Sequence, residues 1–252
     1  MEEYYDAETQ TLRIPFYYDK KLENIPEGTK IIIFEEFNEI EEHSEFNESV
    51  DFLPLSIIQI KFGTLFNKSV DKLPINLQFL ELGNEFVQPV DNLPVNLQSL
   101  KFGHDFNQPV DNLPVNLQSL KFGYRFNQPV DKLPVNLKIL KFGRKFNQSV
   151  DLLPTTITHL TFSYMFNKPV NCFLPELTYL GFYCNSEIKD NILTTVDTVK
   201  ICFFKNRWTL NRNVENLPST IKKIILNKMT YRKYITKIPF GCEVVEKKNL
   251  SV

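Results

Sequence analysis

The side chains of this chain with most chemistry to offer are three histidines, four cysteines and several polar residues that recur at one fixed spacing. His43, His104 and His159 fall at different phases of that spacing, and no Ser/His/Asp or Cys/His pairing recurs around them. No nucleophile-and-base arrangement can therefore be drawn. Cys172, Cys184, Cys202 and Cys242 form no C-x-x-C pair and have no histidines at ligand spacing, so they read as free thiols in a reducing compartment. No glycine-rich phosphate loop is present. Trp208 stands alone and reads as a cap or core residue. These observations point to a protein that is not an enzyme and holds no metal or cofactor.

The recurring residues are more informative. Asp51, Asp71, Asp91, Asp111, Asp131 and Asp151 would repel one another if stacked, unless each accepts backbone N–H groups or meets a cation. Within V-D-x-L-P an aspartate is a turn former that bonds its own following backbone. Calcium would need several oxygens converging on one point, so the turn is the simpler expectation. Asn47, Asn67, Asn107, Asn127, Asn147 and Asn167 each follow a Phe, and buried amides at a bend there would satisfy backbone groups that no strand pairs. Lys61, Lys101, Lys121 and Lys141, interrupted by Glu81, occupy an outward strand position. Such a row either invites an acidic partner or keeps an exposed sheet from sticking to others. Glycines at 63, 83, 103, 123 and 143 read as a turn after the strand.

All these positions are set by an internal repeat of 20 residues. VDNLPVNLQSLKFGHDFNQP at 90–109 and VDNLPVNLQSLKFGYRFNQP at 110–129 differ at two positions. Within one copy the apolar residues are Leu93, Leu97, Leu100, Phe102, Phe106 and Val110. A continuous helix would keep gaps of 3 to 4 throughout, whereas the gap of 2 at Leu100-x-Phe102 marks a short strand. A proline in each regular copy also rules out a continuous helix. Leu97-x-x-Leu100-x-Phe102 fits the leucine-rich-repeat skeleton. The expected fold is an all-β or α/β solenoid, a leucine-rich-repeat-like stack with a parallel sheet, one strand per coil, and extended or 3₁₀ outer segments. Residues 46–182 form the regular array, 1–45 an acidic N-terminal cap with a degenerate repeat, and 183–252 degenerate repeats with a basic C-terminal cap. Near Cys172 and Phe173 the frame gains a residue, giving Leu174-Pro175. Beyond it Ile192, Val196, Val199 and Ile201, then Leu217, Ile221, Ile224 and Leu226, keep the apolar skeleton, and Ile238-Pro239 opens a last half-turn.

Hydrophobic residues at 42% and 22 Phe describe a folded chain. The net charge of −1 conceals asymmetry: residues 1–50 hold 14 acidic against 4 basic side chains, and 200–252 hold 3 against 12. Opposite ends of opposite sign could steer partners or promote head-to-tail self-association. The chain as a whole is not basic, which argues against nucleic acid. The acidic start lacks an apolar signal core, and no run reaches membrane-spanning length. The expectation is a cytoplasmic protein with no membrane association, its Asn-x-Ser sequences unglycosylated.

The two differences between copies 90–109 and 110–129 are His104/Tyr124 and Asp105/Arg125. Across six copies this pair reads Thr64-Leu65, Asn84-Glu85, His104-Asp105, Tyr124-Arg125, Arg144-Lys145 and Tyr164-Met165. Positions that vary over a constant scaffold are neutral or carry specificity, and Tyr and Arg dominate interface energetics. His104, Asp105, Tyr124, Arg125, Arg144, Lys145 and Tyr164 are thus the candidate binding residues for a protein partner of unknown identity. Phe126 is expected in the core, and Tyr124 at a surface position whose loss leaves stability nearly unchanged.

Written as L-P-x-N-L-x-x-L-x-F-G-x-x-F-N-x-[PS]-V, the coil resembles the FNIP repeat family. The resemblance is carried by Phe106-Asn107-Gln108-Pro109-Val110 and its equivalents and covers roughly residues 46–182. Val87 in place of Asn and Asn171 in place of Asp depart from the pattern. The L-P-x-x-L-x-x-L phrase is also similar to repeats of some bacterial effectors, without anything like their catalytic domain. The resemblance implies a non-enzymatic protein-interaction module. Alternatives are a structural or self-assembling protein, or a substrate-recognition component of a ubiquitin-ligase complex without its own F-box. Some family members carry an F-box, and one does not fit in the roughly 20 residues ahead of the first repeat-like segment.

Overall fold

The computed structural model describes residues 1–36, 43–183, 195–202, 214 and 217–246. Expectations resting on Cys184, Ile192 and Trp208 lie outside these. The described chain is a solenoid with a single 13-stranded sheet in sequence order: β1 (Tyr5–Asp6), β2 (Thr11–Ile14), β3 (Ile31–Phe34), β4 (Gln59–Lys61), β5 (Phe79–Glu81), β6 (Ser99–Lys101), β7 (Ser119–Lys121), β8 (Ile139–Lys141), β9 (His159–Thr161), β10 (Tyr179–Tyr183), β11 (Thr198–Cys202), β12 (Lys223–Leu226) and β13 (Glu243–Glu246). β1 pairs antiparallel with β2, closing the N-terminal end, and every later pairing is parallel.

Short strands follow from the sequence. Proline three residues before the first buried leucine of the pair sets a turn, in which the Leu97 N–H donates to the Pro94 carbonyl at 3.0 Å, and Gly103 ends the extended run. Between strands the regular coils run through turns and extended segments, and the helices among the described residues are two 3₁₀ segments, Glu2–Tyr4 and Met229–Tyr234. The all-β form of the expected solenoid is therefore the one adopted. The pairings Gln59↔Phe79 through His159↔Tyr179 hold the 20-residue step.

The core is two parallel rows of stacked phenylalanines. Phe46, Phe66, Phe86, Phe106, Phe126, Phe146 and Phe166 stack at 6.1–6.2 Å between ring centres. The second row, among them Phe102, Phe122, Phe142 and Phe162, lies 3.6–4.2 Å from the first within each coil. Leu82 interrupts this second row, and both rows are buried. Aliphatic residues from Leu12 to Leu226 continue the same core toward both ends.

Four details differ from the sequence expectation. The glycine column has ordinary φ values: the positive-φ glycines among the described residues are Gly28 and Gly241. Its cause is close approach, since a Cβ on Gly123 would sit 1.5 Å from the Gly103 carbonyl oxygen. The asparagines form the expected ladder but are half-buried or exposed; the Oδ1 atoms of Asn47, Asn67, Asn107, Asn127 and Asn147 accept the backbone N–H of the next coil, as from Asn127 to Asn107 (2.8 Å) and Asn147 to Asn127 (2.8 Å). The aspartates sit at turns; Asp71 and Asp151 accept locally from the Ser69 and Ser149 hydroxyls, and others bond sideways to the next coil. Asp91 accepts from the Asn112 amide at 3.0 Å, and Asp111 pairs with Lys132 at 3.0 Å. Finally, the expected extra residue near Cys172 is not there: the coil keeps its 20-residue length and only the Leu-Pro phrase is shifted by one. Leu177 donates to the Leu174 carbonyl at 3.2 Å, so Leu174 fills the place of the usual proline while Cys172 turns inward and Phe173, 69% exposed, turns out. The 20-residue step holds through to Tyr179.

Candidate functional site

The varied pair of each coil lies in the turn that follows the strand, and backbone hydrogen bonds hold successive turns in register. The Asp105 N–H donates to the Asn84 carbonyl (2.8 Å), Arg125 to His104 (2.9 Å) and Lys145 to Tyr124 (2.9 Å). With the backbones locked this closely, side chains at one repeat position stand directly over those of the next coil.

The result is a column of π systems and cations. The His104 ring stacks on Tyr124 at 4.6 Å with the planes 16° apart. The Arg144 guanidinium lies 5.6 Å from the centre of Tyr124 and 5.1 Å from that of Tyr164, so it is held between two tyrosines. Tyr164 in turn meets Tyr183 edge-on at 5.8 Å. Beside this column runs a charged one. Asp105 contacts the His104 imidazole and accepts from Arg125 Nε at 3.1 Å, and Lys145 Nζ lies 5.9 Å from the Tyr124 ring centre. A shallow depression of about 560 Å³ opens here, lined by Asp105, Asn107, Arg125, Asn127, Lys145 and Met165.

All seven residues singled out from the sequence thus share one surface. Tyr124, expected at a plain surface position, is half-buried within the stack. Each cation–π contact at such a site contributes about 0.5–1 kcal/mol, and the exposed Arg125–Asp105 pair about 0–1 kcal/mol. These contacts order the side chains in place, and such preorganisation lowers the entropic cost of any contact made there.

Sequence reasoning missed three neighbouring features. Tyr183 extends the column, and Thr161, Gly181 and Lys200 complete a cleft beside Arg144. On the other side of the strands, Asn96, Asn116 and Asn136 donate to the carbonyls of Ile75, Val95 and Val115 at 3.0–3.1 Å, a second amide ladder. These amides line a groove of about 680 Å³. Their 20-residue period was visible in P-x-N-L and was the available signal. The outward strand row is less uniform than its lysines suggest, because Lys101 pairs with Glu81.

The remaining chemistry is dispersed. His43 pairs with Glu36 at 3.4 Å, whose carboxylate also accepts from the Ser44 N–H (3.0 Å) and the Thr64 N–H (2.6 Å), a polar seal at the N-terminal coil. His159 stacks on Tyr179 at 5.5 Å, whose phenol burial pushes up to about 12. Burial likewise raises the Cys172 thiol to about 11. Among the described residues no three His, Cys, Asp or Glu side chains are grouped to hold a metal ion, and no helix is long and apolar enough to cross a membrane.

Comparison with known proteins agrees with this architecture. The FNIP Repeat family matches residues 88–124, 106–132 and 126–165. Among solved structures the chain is similar to CroV588, described as a novel circular LRR protein, with 30% identity and a TM-score of 0.75. The match covers 94% of this chain and 36% of that one, so the chain spans about a third of the length of that relative. A search of curated proteins returned no match.

Proposed function

Residues 88–165 of this chain are FNIP repeats within a leucine-rich-repeat-like solenoid, and from that premise we propose that the protein is a non-enzymatic protein-interaction module of the cytoplasm. The observation that carries this reading is the column His104–Tyr124–Arg144–Tyr164. It stands at the positions where otherwise near-identical coils diverge, and it is made of the residue types that dominate interface energetics. A rigid sheet behind it supplies preorganisation. The dispersal of the histidines and the absence of a grouped acid, base and nucleophile among the described residues support a binding rather than a catalytic role.

The test is capture of a partner by the intact chain, followed by alanine at Tyr124, Arg125, Arg144, Lys145 and Tyr164 together. Loss of capture with an intact far-UV spectrum and cooperative melt is the expected result. Capture that survives this change but is lost on neutralising Lys222, Lys223, Arg232 and Lys233 would make the array a spacer between functional caps.

The charge asymmetry favours a second reading, head-to-tail self-association. The acidic segment 1–50 and the basic segment 200–252 belong to opposite ends of the strand order. Light scattering against concentration distinguishes it: oligomers that grow at low salt and vanish at high salt support assembly, and a steady monomer removes it.

A further inference from the structure

Where the chain enters each strand, the 20-residue step builds a second surface, a groove of about 680 Å³ between two rows of carboxamides. One wall is Asn76, Asn96, Asn116 and Asn136, the other Gln78, Gln98 and Gln118. A carboxamide carries two N–H donors and one acceptor oxygen. Each asparagine gives one donor to the preceding coil, at 2.9–3.1 Å from the carbonyls of Leu55, Ile75, Val95 and Val115. That bond fixes the side chain and leaves its second N–H and its Oδ1 facing the groove's solvent. The glutamines have no such structural task. Among the described residues none of these three side chains takes part in a hydrogen bond, although Gln78 and Gln98 are half-buried.

The chemistry of the walls selects among occupants. The charged residues of the lining are Lys138 and Glu176, both toward its C-terminal end, so a phosphate-bearing polymer would find almost no counter-charge. Among the described residues no aromatic side chain lines the groove to receive the face of a sugar ring. A carboxamide, by contrast, is the side-chain copy of a peptide group, able to donate to a backbone C=O and accept from a backbone N–H. An extended polypeptide turns these groups alternately to its two edges, and the groove has an amide wall for each edge. The lengths agree as well. From Asn76 to Thr156 the groove crosses successive coils over about 19 Å at roughly 4.8 Å per step, a span that about six extended residues at roughly 3.3 Å each would fill. Beside the asparagine wall, Leu55, Ile75, Val95, Val115 and Val135 each immediately precede a groove residue and are 47–66% exposed. Such a row of exposed aliphatics marks a contact surface for apolar groups.

We propose that this groove binds an extended, uncharged segment of a partner polypeptide through its backbone, with the aliphatic row receiving the segment's apolar side chains. This rests on the interaction reading above and adds to the aromatic column a second surface of different selectivity, because main-chain pairing supplies affinity that tolerates changes of sequence.

The full chain, ¹⁵N-labelled, would be titrated with a synthetic pool of capped octapeptides randomised over Ala, Val, Leu, Ser and Thr. The expected result is saturable shifts of the Gln78, Gln98 and Gln118 side-chain amides. Affinity, read at the backbone amides of Ser99 and Ser119, should fall at least tenfold when alternate peptide bonds of the pool are N-methylated, and at least tenfold in the combined variant Gln78→Ala, Gln98→Ala and Gln118→Ala. A circular-dichroism melt shows whether that variant is folded; if it is not, Val115→Glu, which sets a charge on the exposed row, gives the same discrimination. Equal binding of the N-methylated pool, affinity unaffected by the variant, or the absence of saturable shifts at the glutamines would overturn the proposal. Cellohexaose producing the same shifts, or shifts that grow with protein concentration when no peptide is present, would overturn it too, assigning the groove to a glycan or to a second copy of the chain. If the peptides fail here while alanine at Tyr124 and Tyr164 still abolishes partner capture, the groove is wrong and the interaction face stands.

Discussion

The middle of this solenoid and its C-terminal end are built on the same apolar skeleton but held together differently. Between Phe86 and Phe166 every coil steps by 20 residues, so identical atoms recur one above the other. Rings stack on rings, and Asn107, Asn127 and Asn147 each accept from the next coil. Toward the C-terminus Tyr179 pairs with Thr198 and Thr198 with Lys223, steps of 19 and 25 residues. There the second phenylalanine row gives way to Ile201 and Leu226. Sheet hydrogen bonds and aliphatic burial survive a change of coil length, whereas side-chain ladders require constant length. The column of His104, Tyr124, Arg144 and Tyr164 is itself such a ladder, and it ends where the step changes.

The sharpest way to break the difference is Phe126→Ala, which removes a fully buried ring stacked on Phe106, Phe122 and Phe146. It should cost about 3–5 kcal/mol and split the single denaturation transition in two by uncoupling the halves of the stack, read by urea unfolding. Leu226→Ala should cost about 2 kcal/mol, and hydrogen exchange should show protection lost at β11–β13 alone, because an end of the array can open by itself. A global loss there would mean the two regions are equally coupled. Asn127→Ala deletes the acceptor of the Asn147 N–H and should cost about 1 kcal/mol. Val87→Asn restores the rung missing toward Asn107 and should raise the melting midpoint by a comparable increment. Tyr124→Ala, which unstacks His104 and releases Arg144, should cost about 0.5–1.5 kcal/mol.

The smallest effect concerns Cys172. Burial raises its thiol from near 9 to about 11, so the folded state holds the proton more tightly than the unfolded chain. Its contribution is complete below about pH 9 and is lost as pH rises through about 11. Native-state alkylation at pH 8 should accordingly be slow at Cys172, and rapid modification would place it outside the core.

Residues 90–129 alone determine much of this protein. Two copies differing at two positions reveal the period, the inward phase of Leu97, Leu100, Phe102 and Phe106, and the turn where specificity can be written, because burial and strand alternation are local consequences of spacing. Val199, Ile201, Ile224 and Leu226 were legible for the same reason, and all are buried. The role of the glycines was not, since close approach of Gly103 to Gly123 depends on two coils and leaves no mark in either one's φ. Nor could spacing reveal that Cys172 and Leu174 replace the usual leucine and proline while Phe173 turns outward. The 20-residue step is unbroken there, so the displaced Leu-Pro phrase is a local substitution within a coil of unchanged length, which inter-coil pairing shows and the motif alone does not. The amide-walled groove likewise exists only in the assembled sheet. Its walls come from successive coils, and only backbone pairing between strands sets Asn96 beside Asn116 and Gln98 beside Gln118 as continuous rows.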